Sequence, residues 1–240
     1  MTKNPLIYAL KFGIHKAYMT QQKTADTQAM FEAGVHYGTL RSSRNPSVAK
    51  HVYGTKGNMD IIDIEVTQKQ LAAAKEFLAP LIAENKPILF VTSKNEVKDL
   101  AKNYAEKLGQ MYVSGRWVGG LFTNFDNIRR RIDRMLELID MKAKGELKKY
   151  TKKEQSLMDK EVERLEKLFG GVREMKTLPA AIVVVDPKKE FIAVQEANDT
   201  KVPVIAIANT DCKISNVTYP ILANDSSRAS VEHILHQLIA

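Results

Sequence analysis

The chain has 240 residues, of which 44% are hydrophobic, enough for one large α/β domain or a domain with an appendage and too many for wholesale disorder. Lysine and arginine outnumber aspartate and glutamate by 36 to 28, a formal net charge of +8 that favours an anionic partner, nucleic acid being the commonest. A single cysteine, Cys212, excludes an intrachain disulfide and a cysteine-built metal site, and no apolar run reaches the roughly 20 residues of a spanning helix, so a soluble protein in a reducing compartment is expected.

Residues 1–29 carry Lys3, Lys11, Lys16 and Lys23 and no acid before Asp26. Without arginine they make a poor transit peptide, and LIYAL is too short for a secretory core, so they read as a mildly basic, partly helical extension. The stretch RSSRNPSVAKHVYGTK, 41–56, shows little helical or strand periodicity. Its Arg41, Arg44, Asn45, Lys50, His51, Tyr53 and Lys56 mix cations, hydrogen-bonding groups and an aromatic ring, a composition suited to RNA. DIIDI, 60–64, predicts a strand or an edge.

From 66 to 84 helical spacing holds, with Pro80 near the last turn. PILFVT, 87–92, reads as a buried strand, and 95–109 as a helix capped by Asn95 and stopped by Gly109. MYV, 111–113, is a short strand. GRWVGGLFTNFDNIRRRI, 115–132, then places Trp117, three glycines and four arginines together. Gly115, Gly119 and Gly120 suit a sharp turn or a close backbone approach, either to seat Trp117 or to admit a sugar-phosphate backbone.

Phe125, Ile128, Ile132, Met135 and Ile139, followed by Met158, Val162, Leu165 and Phe169, repeat at the three-four spacing of a coiled-coil seam. Gly145 lies in a polar tip between them, so residues 123–170 predict an inserted, protruding antiparallel hairpin. A charged helix face is ordinarily just solvated. Here Arg129, Arg130, Arg131 and Arg134 sit where the arm leaves the body, beside Arg116 and Asn124, and arginine forks suit phosphate oxygens. Strands at 180–186, 202–208 and 219–221 alternate with helices at about 189–198 and 226–238. Continuous apolar strands alternating with helices predict a parallel sheet covered by helices on both faces, formed by 30–122 and 171–240.

Catalytic patterns are thin. The turns TSKN, DPKKE and NTDCK lack a glycine fingerprint for phosphate, the five histidines form no paired-ligand motif, and Cys212 has no activating neighbour in sequence. Asp186, Asp211 and Asp225 each follow a strand, where a hard cation could be held, yet capping and turn roles account for them better. A nucleotide-using α/β enzyme remains the alternative to an RNA-binding protein.

MFEAGVHYG (30–38), RNP (44–46), GRWVGGLFTNF (115–125), IRRRI (128–132), GGVREMKTLPAAIVVVDPKKE (170–190), the EAN at 196–198, VPVIAI (202–207) and YPI followed by ND (219–225) together resemble the family of small-ribosomal-subunit protein two. The resemblance implies an α/β fold with a flavodoxin-like or Rossmann-like parallel sheet flanked by helices, an inserted protruding coiled-coil hairpin, and a cytoplasmic or organellar ribosome as its location. It implies binding to small-subunit rRNA, and the basic stretches read above supply the expected contact residues: Arg41, Arg44, Asn45, Lys50, Lys56, Arg116, Trp117, Asn124, Arg129, Arg130, Arg131 and Arg134. Neighbouring ribosomal proteins, including the mRNA-binding ribosomal protein one, are the other implied partners, with no catalysis, cofactor, metal, membrane contact or homo-oligomer. The chain departs from the family at Thr39 and Arg44, where histidine and tryptophan are usual, and at Asn209 to Asp211.

Overall fold

Short polar strands come first. In the computed structural model, which describes residues 26–239, β1 (Tyr37–Leu40), β2 (Val52–Lys56) and β3 (Met59–Ile62) make an antiparallel sheet in the order β1-β3-β2. This corrects the reading of 41–56 as a loop without strand character, and it gives DIIDI a place outside the large sheet. The expected N-terminal extension falls largely outside the described residues; 26–32 are helical.

After α1 (Ile64–Ala83), which contains Pro80, the chain enters a five-stranded parallel sheet. It runs through β4 (Ile88–Val91), α2 (Lys98–Lys107), β5 (Met111–Val113), α3 (Phe125–Ala143), α4 (Lys152–Phe169), β6 (Ala181–Val185), α5 (Phe191–Asp199), β7 (Val204–Ala208), β8 (Tyr219–Leu222) and α6 (Arg228–Ile239). The strand order β5-β4-β6-β7-β8 pairs Leu89 with both Met111 and Ile182. Gly109 ends α2 with φ 62°, as expected of a left-handed helix stop. Asn95 does not cap that helix: Val97 is the capping position, and Asn95 Oδ1 accepts from Lys98 Nζ at 3.2 Å.

The strand period of two sorts the core. Leu89, Val91, Ile182 and Val184 face one side and join an apolar cluster with Trp117, Phe122, Ile128, Ile132, Met135, Leu165 and Phe169. Ile88, Phe90, Val183 and Val185 face the other and pack with residues of α1, α2 and α6. The roots of α3 and α4 therefore cover one face of the sheet. Toward the tip the cover ends: Met158 and Val162 are only half-buried, and the turn carries Gly145 at φ 72° before the capping box of Thr151 and Glu154. Among the described residues no helix is long and apolar enough to cross a membrane.

Candidate nucleic-acid interface

The turn after β5 is organised by a carboxylate that arrives late in the sequence. Glu196, on α5 and 6% exposed, accepts from the Trp117 indole N–H at 3.2 Å and the Gly120 N–H at 2.7 Å through Oε1, and from the Phe122 N–H at 3.0 Å through Oε2. Buried polar groups must find partners, and here one acid meets donors from both ends of the turn. Gly120 takes φ 88°, which permits the bend. Trp117, 5% exposed, meets Phe122 edge-on with centroids 5.2 Å apart. The Trp117 ring and indole donor are therefore engaged mainly inside the core, and its remaining exposed edge lines the concavity beside Arg116.

Helix α3 starts at Phe125, with the Asn124 Oδ1 accepting from Asn127 Nδ2 at 2.7 Å. Ile128, Ile132, Met135 and Leu138 turn inward, so Arg130, Arg131 and Arg134 turn outward. The four arginines then divide by partner. Arg129 donates to the carbonyls of Arg173 at 3.0 Å and Met175 at 2.9 Å and pairs with Asp133 at 2.5 Å. Arg134 pairs with Glu137 at 3.6 Å. Arg130, Arg131 and Arg116 are exposed and make no side-chain hydrogen bond or ion pair among the described residues. Arg129 is thus a clamp between α3 and the segment after α4, and Arg116, Arg130 and Arg131 are available cations.

The second basic stretch divides the same way. Arg44 forms an ion pair with the fully buried Asp60 and donates to Thr55 Oγ1 at 3.0 Å. The hydrogen bonds that Asp60 accepts from Arg44 and, at 3.2 Å, from the Thr55 hydroxyl, opposed by burial, hold its carboxyl below the usual range. Asn45 Oδ1 accepts from the Ser47 N–H at 3.0 Å, and its own N–H donates to the Thr210 carbonyl at 2.9 Å. Arg44 therefore ties this segment to β2 and β3, and Asn45 ties it to the turn after β7. Arg41, Lys50, Lys56 and Tyr53 remain exposed. No acidic residue occurs from 37 to 59.

Three acids do gather at the carboxyl ends of the strands, as the sequence suggested, and a cation is already among them. Lys94 Nζ lies 3.0 Å from Asp186 and 2.7 Å from Asp225, while Asp211 pairs instead with Lys188 at 2.7 Å. Asp186, Cys212 and Asp225 offer atoms within 4.8 Å of one another. Burial draws the Lys94 pKa down, and the two carboxylates more than offset it, so the net shift is upward. Asp186 also plays its expected turn role, accepting from the Lys188 and Lys189 N–H groups. Burial, reinforced by Asp186 and Asp211, pushes the Cys212 thiol up to about 12, which leaves it no nucleophilic thiolate at neutral pH.

Sequence reasoning missed Glu196 and Lys94. The only early signal for Glu196 was an acid inside an otherwise apolar helical face; Lys94 gave none, because its partners are distant in the chain.

The profile of the family described as Ribosomal protein S2 matches residues 30–240. The chain is 37% identical over 218 residues to "Small ribosomal subunit protein uS2" of Roseiflexus sp. (strain RS-1), covering 90% of this chain and 83% of that one. It is 36% identical over 211 residues to the protein of the same name from Karelsulcia muelleri (strain GWSS), covering 88% and 95%.

Proposed function

We propose, from the premise that this chain belongs to the ribosomal protein S2 family, that it is a structural, non-enzymatic constituent of the small ribosomal subunit that binds the subunit's rRNA. Residues 123–170 act as a coiled-coil hairpin projecting from the body formed by 30–122 and 171–240, and neighbouring small-subunit proteins, ribosomal protein one among them, dock beside it. A ribosome of the cytoplasm is the setting, an organellar one the alternative.

The observation that carries the reading is the set of unpartnered cations at the root of the hairpin: Arg116, Arg130 and Arg131, whose apolar neighbours Ile128 and Ile132 are fixed in the core. Cations held on a rigid element without internal partners are free to neutralise phosphates, and each one neutralised adds a salt-dependent increment to affinity. Arg41, Lys50 and Lys56 extend the same chemistry on the small sheet.

Sedimentation of cell lysate through sucrose gradients at moderate and high salt tests this. Co-migration with small subunits, lost mainly at high salt, is the expected result. Migration only in the light fractions at both salts would sink the proposal.

A further inference from the structure

Two concavities meet at the turn that follows β5. One, of about 470 Å³, opens at the carboxyl ends of β4 and β6 and is lined by Ser93, Asn95, Lys98, Lys189 and Glu190. The other, of about 330 Å³, runs beneath the edge strand toward the root of α4 and is lined by Lys102, Tyr112, Glu166, Lys167 and Arg173. Ser114, Gly115 and Arg116 belong to both walls, so the two form one groove bent around the end of β5.

Its charge is lopsided. Lys98, Lys102, Arg116, Lys167, Arg173 and Lys189 line it against two acids, Glu166 and Glu190, while Lys167 also pairs with Glu163 at 2.8 Å and Lys102 with Glu106 at 3.8 Å, both exposed pairs on their own helices. Glu190 is buried, accepts from the Ser93 hydroxyl, and has its pKa raised by that burial, which weakens its claim on a cation. Glu166 stands 3.5 Å from Arg173 in an exposed pair, the kind that exchanges readily for another anion. Lys98 and Lys102 are one helical turn apart on α2, and Lys102 lies over the Tyr112 ring at 5.5 Å, so both are presented along the same side.

Gly115 adds an independent indication. Its φ lies outside the left-handed range, and a Cβ built on it would meet nothing within 4 Å. Neither backbone conformation nor internal packing requires glycine there. Gly171, across the second concavity, is the contrast: a Cβ on it would collide with the Tyr112 carbonyl and ring, so the fold itself demands glycine. A bare backbone on the wall common to both concavities is what close approach by an external chain would need.

We infer that this groove holds the sugar-phosphate backbone of an rRNA strand, with the ribose passing over Gly115, Arg116 at the bend, and phosphates held by Lys98 and Lys189 on one side and by Lys102 and Arg173 on the other. The inference rests on the rRNA-binding reading and assigns it a path. A repeating phosphate fits better than a single nucleotide, because the cations continue past the bend and no enclosed pocket surrounds any one of them.

The test uses the full chain and a labelled small-subunit rRNA transcript, with affinity measured across a potassium chloride series and thermal unfolding measured in parallel. Gly115→Val keeps its melting temperature and weakens binding at least about fivefold, while Lys98→Gln with Lys102→Gln lowers the slope of log affinity against log salt by about 1.4, the increment of two phosphates on a single strand. Wild-type affinity and slope in both variants would overturn the groove while leaving rRNA binding intact. No salt-dependent binding by the wild-type chain would instead overturn the rRNA reading itself. Stoichiometric displacement of the transcript by ADP would reassign the groove to a free nucleotide.

Discussion

Glu196 Oε1 accepts the Trp117 indole N–H at 3.2 Å although the two residues are 79 positions apart in the chain. The same carboxylate receives the N–H groups of Gly120 and Phe122, so one side chain on α5 sets the course of the turn that presents Arg116. Replacing Glu196 with alanine leaves three buried donors unpaired. The expected cost is about 3 kcal/mol or more, read as a lower urea midpoint, with rRNA affinity falling in parallel. Glu196→Gln sets an NH₂ against N–H donors and is expected to lose nearly as much; a neutral result for both variants would show that the turn holds its shape without this acid.

The arginines of α3 should separate in a way that their adjacency conceals. Arg129→Ala removes hydrogen bonds to the Arg173 and Met175 carbonyls and is expected to cost about 1–2 kcal/mol of stability. Arg130→Ala with Arg131→Ala should leave the urea midpoint unchanged and reduce the salt slope of rRNA binding. Equal destabilisation by the two sets would contradict this division.

Helices α3 and α4 were legible in the sequence because apolar spacing is a local pattern. Ile128, Ile132 and Met135 are buried as their spacing implied, half-buried Ile139 packs against the same cluster, and Leu138, off that spacing, is buried as well. The strands of the parallel sheet were legible as continuous apolar runs. The small antiparallel sheet was not: YGTL and VYGTK alternate poorly, and β2 carries a register shift between Val52 and Gly54. Nor was the division of cations into available and committed ones, because the partner of Arg44 is a buried acid, Asp60, and the clamp made by Arg129 lands on backbone carbonyls more than forty residues away.

Lys94 sits between Asp186 and Asp225, and Lys94→Met leaves two carboxylates facing each other in a largely buried setting. A loss of about 3–5 kcal/mol is expected at neutral pH. The lysine's folded pKa is above its unfolded value, so its contribution is complete below the ordinary lysine range and disappears as pH rises through the folded value. Wild type and variant should therefore converge in stability only in strong alkali; convergence near neutrality would refute the pairing.

Asp60 supplies the opposite limb. Its folded pKa lies below the unfolded one, chiefly through the Arg44 hydrogen bonds, so its stabilising effect is present above the unfolded value and is lost as pH falls through the folded one. Asp60→Asn is expected to lower the denaturation midpoint at neutral pH and to flatten its decline below about pH 4. A variant that retains the full acid decline would place that dependence on other carboxylates.

Strand order has a consequence for how the chain is made. β4 lies in the sheet between β5, which follows it closely, and β6, which leaves the synthesising ribosome about ninety residues later. At about 5–20 residues per second, the apolar ILFV strand waits on the order of ten seconds for its second neighbour. α3 and α4 emerge during that interval and can zip together through contacts local to themselves, bringing Ile132, Met135 and Leu165 to the sheet face before β6 arrives. The order of synthesis thus makes the two helices available to cover that face of the sheet before its central strand pair is complete.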